Sequence, residues 1–95
     1  MSTRLPAAMI CPLIFATSFG TARAADPHFC ADYARNALSQ VQTAQRTPSC
    51  SPNLQTSRWA TTYQAQFTWC TTVTSDAATK ERQTRTAYLM ACRGM

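Results

Sequence analysis

WATTYQAQFTWC, residues 59–70, is the stretch that decides the fold of this 95-residue chain. It contains both tryptophans and one of the three tyrosines. Because an α-helix turns about 100° per residue, side chains three and four positions apart share one face. The residues that recur at these intervals are Trp59, Tyr63, Gln66, Cys70 and Val73, with Phe67 beside them. This spacing predicts a helix over 59–70, capped by Thr56 or Ser57, that packs against other helices.

The aromatic side chains of this helix divide into core and edge positions. A small domain has little else to bury, so we predict a structural role for Trp59, Tyr63, Phe67 and Cys70. Trp69 lies about 100° around the helix from Cys70, at the edge of the buried face. We therefore expect Trp69 to be partly exposed. The candidates for partner binding are Trp69 and Arg58.

The first 24 residues have the pattern of a secretory signal peptide. Arg4 supplies the positive charge, an uncharged stretch follows over 5–19, and Ala22-Arg23-Ala24 is an A-x-A cleavage site. The sequence therefore predicts cleavage near Ala24 and a periplasmic or secreted mature chain without a transmembrane segment. The alternative, an uncleaved anchor, is disfavoured because a membrane-spanning helix needs about 20 apolar residues.

Cleavage would leave residues 25–95, a single domain of 71 residues. A chain of this size buries only about 60% of its unfolded surface, so its core needs reinforcement. Four of the five cysteines stay in the mature chain, and an even number in an exported protein predicts two disulfides. Loss of Arg4 and Arg23 leaves seven basic and four acidic residues, a net charge of +3. That mild charge predicts no nucleic-acid partner.

Two further helices flank the central one. Asp26-Pro27 is a strong helix start, because Asp caps and Pro fits the first helical position. Small and apolar residues then recur at helical spacing, which predicts a first helix over 27–45. A linker with two prolines covers 46–55, and cap candidates at 74–76 begin a third helix over 76–92. The predicted fold is all-α, a small three-helix up-down-up bundle stapled by two disulfides.

The up-down-up topology predicts the disulfide pairing. Four cysteines allow three connectivities, which sequence alone does not separate. In this bundle Cys30 and Cys70 lie at one end, whereas Cys50 and Cys92 lie at the other. Because bridged cysteines need Cα atoms within about 7 Å, we predict the pairs Cys30–Cys70 and Cys50–Cys92. A Cys30–Cys50 bridge would contradict the topology.

Glu81 and Arg85 lie four residues apart on the inward face of the third helix. The simpler interpretation is an i,i+4 pair that supports the helix while Arg85 reaches outward to solvent. The sharper interpretation is a semi-buried ion pair, joined by Arg58, that orders the packing or lines a small polar pocket. In that case Glu81→Ala would leave a buried arginine unpaired and would be strongly destabilising.

Several short motifs keep a fixed order along the chain. They are C-x-x-Y-A at 30–34, R-W at 58–59, W-C at 69–70, and the single residues Glu81, Arg85 and Cys92. In this order they resemble a family of small exported four-cysteine helical modules of proteobacteria whose function is unknown. The resemblance covers about residues 29–92 and implies the fold and the location, but no activity. The chain departs from the pattern at 51–54, where SPNL replaces a Gly-rich turn.

The sequence carries little that predicts catalysis. The single histidine, His28, has no evident partner, and neither a nucleophile motif nor a phosphate-binding loop is present. Cysteines about twenty residues apart do not suit a zinc or redox site. We therefore expect no enzyme, and no catalytic, cofactor-binding or metal-binding residues.

The expected function is a non-catalytic exported helical module, with a binding or structural role toward an envelope protein or surface. The alternative is a small secreted effector, either an inhibitor of an envelope enzyme or a mildly cationic antimicrobial. An antimicrobial peptide would show a cleanly separated basic and apolar face, and Arg85 interrupts the apolar face of the third helix. Strong leakage of liposomes at a low concentration of the protein would favour the secreted-effector hypothesis.

Overall fold

The computed structural model describes residues 23–94, and over that range the chain is all-α, as predicted. Its helices are α1, Pro27–Arg46; α2, Tyr63–Cys70; and α3, Ser75–Arg93. Two 3-10 turns lie between α1 and α2, the first over Ser51–Asn53 and the second over Ser57–Trp59. None of the helices in 23–94 is long and apolar enough to cross a membrane. All but the last two residues of the predicted signal peptide lie outside the described residues.

Each helix begins at a polar side chain that caps it. Asp26, Thr62 and Thr74 each accept a hydrogen bond from the backbone N–H three residues further on, at 2.9, 3.1 and 3.1 Å. These bonds satisfy donors that the first helical turn leaves without an intrahelical partner. The caps at Asp26 and Thr74 explain why α1 and α3 begin within one residue of their predicted starts.

The central helix is shorter than predicted, because it begins at Tyr63. Trp59 instead ends the second 3-10 turn, and Ala60 takes an extended conformation with φ −56° and ψ 137°. Thr62 caps α2 in place of the predicted residues 56–57. Two consecutive β-branched threonines precede the helix, and such residues lose side-chain freedom in a helix interior.

This later start changes which aromatic side chains enter the core. Tyr63 is 38% exposed and stacks on Phe67 with ring centroids 5.8 Å apart, so its predicted core position is wrong. The reason is that Trp59 and Tyr63 no longer lie on one continuous helix. Trp59, at 5% exposure, is in the core as predicted. Trp69 is 38% exposed, which confirms its position at the edge.

The core consists of two apolar clusters at opposite ends of the bundle. The lower cluster comprises Ala25, Cys30, Tyr33, Ala37, Cys70 and Ala78. The upper cluster comprises Val41, Ala44, Cys50, Trp59, Leu89 and Cys92. Along α3, Glu81 and Arg85 separate the residues of one cluster from those of the other.

The two disulfides pair as predicted, one within each cluster. Cys30 joins Cys70 with Cα atoms 5.5 Å apart, and Cys50 joins Cys92 with Cα atoms 5.2 Å apart. The end of α2 therefore meets the start of α1, and the end of α3 meets the linker that follows α1. This arrangement is the predicted up-down-up order, in which α1 packs against both other helices.

Hydrogen bonds hold the linker after α1 against α3. The Tyr88 hydroxyl donates to the Cys50 carbonyl at 2.6 Å, and the Ser49 hydroxyl donates to the Cys92 carbonyl at 2.6 Å. Leu54 packs against the upper cluster. The segment that leads into the second 3-10 turn is thereby positioned beside α3.

Candidate functional site

A layer of polar groups lies between the two apolar clusters. Arg85 is fully buried; its Nε donates to Gln40 Oε1 at 2.7 Å, and its Nη1 donates to the Arg58 carbonyl at 3.3 Å. The buried Gln66 amide donates to the same carbonyl at 3.3 Å and to the Ala60 carbonyl at 3.0 Å. The carbonyl of Arg58 thus connects α2 and α3 through the second 3-10 turn.

The Glu81 carboxylate forms its ion pair with Arg58. Arg58 Nε donates to Glu81 Oε2 at 2.5 Å, and Arg58 Nη2 donates to Oε1 at 3.3 Å. This hydrogen bond raises the pKa of Arg58 above its ordinary value. The predicted contact between Glu81 and Arg58 is therefore present. The predicted Glu81–Arg85 pair is wrong, because the Arg85 guanidinium is engaged by Gln40 and by the Arg58 carbonyl. The interpretation in which Arg85 reaches outward to solvent is also wrong, because its side chain is buried.

We expect Glu81→Ala to lower the free energy of unfolding by only about 1 kcal/mol or less, as for other exposed ion pairs. The side chains of Arg58 and Glu81 are 42% and 20% exposed, so water can solvate the arginine that the substitution leaves behind. Urea denaturation of Glu81→Ala, Arg58→Ala and the double variant would give the coupling energy of the pair. A loss above about 3 kcal/mol for Glu81→Ala alone would show that a buried charge depends on Glu81.

Two donors in the polar layer have no acceptor. Arg85 Nη2 and the Tyr33 hydroxyl are both buried, and neither has a hydrogen-bond acceptor within the described part of the chain. The Arg85 guanidinium carbon lies 5.1 Å from the centroid of the Tyr33 ring, a cation–π distance. The ion pairs within 23–94 are Arg35–Asp32 and Arg58–Glu81, so Arg85 has no acidic partner there. Burying a charge without a counter-charge is energetically costly. Arg85 is therefore the residue of the polar layer that most strongly indicates a functional site.

These groups line a cavity of about 410 Å³ between α1, the second 3-10 turn, α2 and α3. Its floor is formed by the buried side chains of Tyr33, Gln66 and Arg85. Its rim is formed by more exposed side chains, among them Arg58, Trp69 and Glu81. Pockets that bind small molecules have volumes of about 300–1,000 Å³ and carry a few polar groups among apolar ones, as this cavity does.

The cavity brings together residues that different sequence patterns indicate as site candidates. Four of these candidates are among the residues that line it: Trp69, Arg58, Glu81 and Arg85. Tyr33 and Gln66 also line the cavity but were not predicted from the sequence as site residues. Tyr33 flanks the apolar stripe of α1 and has the pattern of an ordinary core aromatic. Gln66 could have been found, because it is a polar residue on an otherwise apolar helix face.

Burial raises the pKa of Tyr33 above its ordinary value of 10.0, and the nearby Arg85 guanidinium opposes this shift. The folded protein therefore keeps the phenolic proton at a pH where the unfolded chain releases it. We expect the contribution of Tyr33 to stability to be complete below about pH 10 and to be lost as the pH rises above that value. Denaturation of the parent and of Tyr33→Phe between about pH 9 and pH 11 would measure it. A decline equally steep in both proteins would contradict the assignment to Tyr33.

The described residues hold no cluster of three His, Cys, Asp or Glu side chains that could bind a metal ion. What the cavity offers is hydrogen-bond donors and one uncompensated positive charge. Such groups recognise an oxyanion or a carbonyl oxygen. In comparisons with known proteins, neither a family model, a curated protein nor a solved structure matches the chain at a significant level.

Proposed function

We propose that the protein is a non-catalytic exported helical module that binds a partner in the cell envelope through the rim of this cavity. The observation that carries the proposal is that Trp69 and Arg58, both exposed, lie on one rim above the uncompensated charge of Arg85. Tryptophan and arginine are the side chains most enriched among residues that dominate binding energy at interfaces. A half-exposed tryptophan beside a charged cavity therefore favours recognition as the role of this surface.

Two observations support export. The domain contains two disulfides, and such bridges persist mainly in oxidising compartments. Ala25 is buried in the lower cluster, and its backbone N–H donates to the Val73 carbonyl at 2.8 Å. Cleavage after Ala24 would keep Ala25, which is the first of the described residues 23–94 to pack in the core.

Location is tested by expressing the full sequence in a Gram-negative host and fractionating the cells. We expect the protein in the periplasmic fraction or the medium. Its mass should be that of a chain that begins at Ala25 and has lost the four thiol hydrogens of its cysteines. Thiol-reactive labelling before reduction should detect no free cysteine. Recovery of the uncleaved chain in the cytosol with reactive thiols would contradict export.

Binding is tested with a photo-reactive amino acid placed at position 69 in intact cells. Position 90 is the matched control, because Met90 is an exposed apolar residue of α3 that does not line the cavity. We expect a discrete adduct from position 69 that disappears when Arg58 is replaced by alanine, and no such adduct from position 90. Equal adducts from both positions would contradict the proposed surface. No adduct, together with leakage of anionic vesicles, would favour the effector alternative.

A further inference from the structure

The two donors without partners on the cavity floor indicate that an acceptor belongs there. Arg85 Nη2 carries two N–H groups, and the Tyr33 hydroxyl carries one O–H group. If the Tyr33 oxygen accepted a hydrogen bond from Arg85, the Tyr33 proton would still lack an acceptor. Leaving buried donors unsatisfied is destabilising, and both atoms are buried without a partner. A ligand oxygen would satisfy both donors at once.

The charges around the cavity select the class of that ligand. Arg58 and Glu81 neutralise each other, and Arg85 has no acidic partner in residues 23–94. The three charged side chains that line the cavity therefore sum to a single positive charge. A singly charged oxyanion would balance it, whereas a doubly charged phosphate would leave one negative charge in the cavity without a counter-charge.

The rim supplies an apolar surface. The Trp69 indole contacts the Tyr33 ring, with ring centroids 5.7 Å apart, and it is partly exposed. An apolar or aromatic group of a ligand could pack against this indole while its charged end reaches the floor. Because the floor donors are shielded from solvent, Trp69 or another rim side chain must shift to admit the ligand.

We propose that the cavity binds a monocarboxylate with an apolar or aromatic body, held by the Arg85 guanidinium and the Tyr33 hydroxyl and packed against Trp69. This inference rests on the proposed binding role and names its ligand class. The carboxylate can belong to a free acid or to the C-terminus of a peptide, since both present the same acceptor.

The test is a titration of the purified, oxidised chain, followed by the NMR signals of the Trp69 indole and the Arg85 guanidinium at constant ionic strength. The probes are phenylacetate, its neutral amide phenylacetamide, N-acetylphenylalanine and inorganic phosphate. We expect saturable shifts with phenylacetate below about 50 mM, and weaker or no shifts with the amide and phosphate. Tighter binding of N-acetylphenylalanine than of phenylacetate would assign the carboxylate to a peptide C-terminus, and the reverse order to a free acid.

Variants separate the site from general charge effects. Tyr33→Phe removes one hydroxyl and keeps the ring that packs in the lower cluster, so it should fold and bind phenylacetate about tenfold more weakly. Lys80→Gln removes one exposed charge of α3 away from the cavity and should bind like the parent. Arg85→Gln should abolish binding of phenylacetate. If the Arg85→Gln variant does not fold, the affinity of the Tyr33→Phe variant still tests the site.

Three results would overturn the inference. They are no saturable shift with either carboxylate, equal binding of phenylacetate and its amide, and binding of phosphate as tight as that of phenylacetate. If the Tyr33→Phe variant bound phenylacetate with the affinity of the parent, the Tyr33 hydroxyl would not be part of the site. Each of these results leaves the cross-linking from position 69 unaffected, so failure of the ligand class and failure of the binding surface are distinguishable.

Discussion

Replacing Cys50 and Cys92 together by alanine is expected to lower the free energy of unfolding by about 4 kcal/mol. The bridge joins residues 42 positions apart, and closing a loop of that size removes about this much chain entropy from the unfolded state. A domain of about 70 residues has a total stability of roughly 4–10 kcal/mol. The variant should therefore keep at most about 6 kcal/mol of stability, and a parent at the low end of this range would leave a variant that is largely unfolded at 37 °C.

The matched comparison is the variant that lacks Cys30 and Cys70. That bridge spans 40 positions, so the chain-entropy argument predicts nearly the same loss of stability. Urea denaturation of the two variants and of the parent, read by far-UV circular dichroism, would measure both. A variant that unfolds at the same urea concentration as the parent would show that its bridge does not stabilise the domain.

Trp59→Ala is expected to lower the free energy of unfolding by about 3–5 kcal/mol, the range for large aromatic side chains in cores. Trp59 is 5% exposed and belongs to the upper cluster. Its ring centroid lies 5.0 Å from that of Tyr88. Removal of the indole would leave a cavity beside the Cys50–Cys92 bridge, which itself limits how far the neighbouring residues can close in.

Trp69→Ala is the control for this substitution, since it removes the same side chain from the other end of the same stretch. Trp69 is 38% exposed, so less of its surface leaves water on folding. We expect a loss of about 1 kcal/mol, measured by the same denaturation experiment. Equal losses for the two variants would contradict the division of the tryptophans into one core residue and one rim residue.

The start of α1 could be predicted because its signals are local. Asp26 and Pro27 are adjacent in sequence and act within one helical turn, and the stripe that follows is buried as its spacing indicates. The start of α2 could not be predicted in the same way. Trp59 has the right spacing to join Tyr63 on one helix, but burial of its side chain in the upper cluster is achieved from a 3-10 turn.

The candidate site could be predicted only in part. Arg58, Trp69, Glu81 and Arg85 were each selected from sequence. Their meeting in one cavity depends on the second 3-10 turn, which places Arg58 against Glu81 across a separation of 23 positions. Spacing along one helix favoured Glu81 and Arg85 as partners, because sequence patterns describe neighbours on an element and not those on adjacent elements.

The sequence alone predicted the helices at both ends of the domain and the number of disulfides. The pairing of the cysteines was predicted only with the added assumption of an up-down-up topology. These predictions follow from short-range capping, helical periodicity and the reach of a cysteine side chain. Only the tertiary structure decided that the 59–70 stretch is divided between a 3-10 turn and a helix. It also decided that Arg85 is buried beside Tyr33 with no acidic partner among residues 23–94, because the hydrogen bonds of a buried guanidinium depend on which elements pack around it.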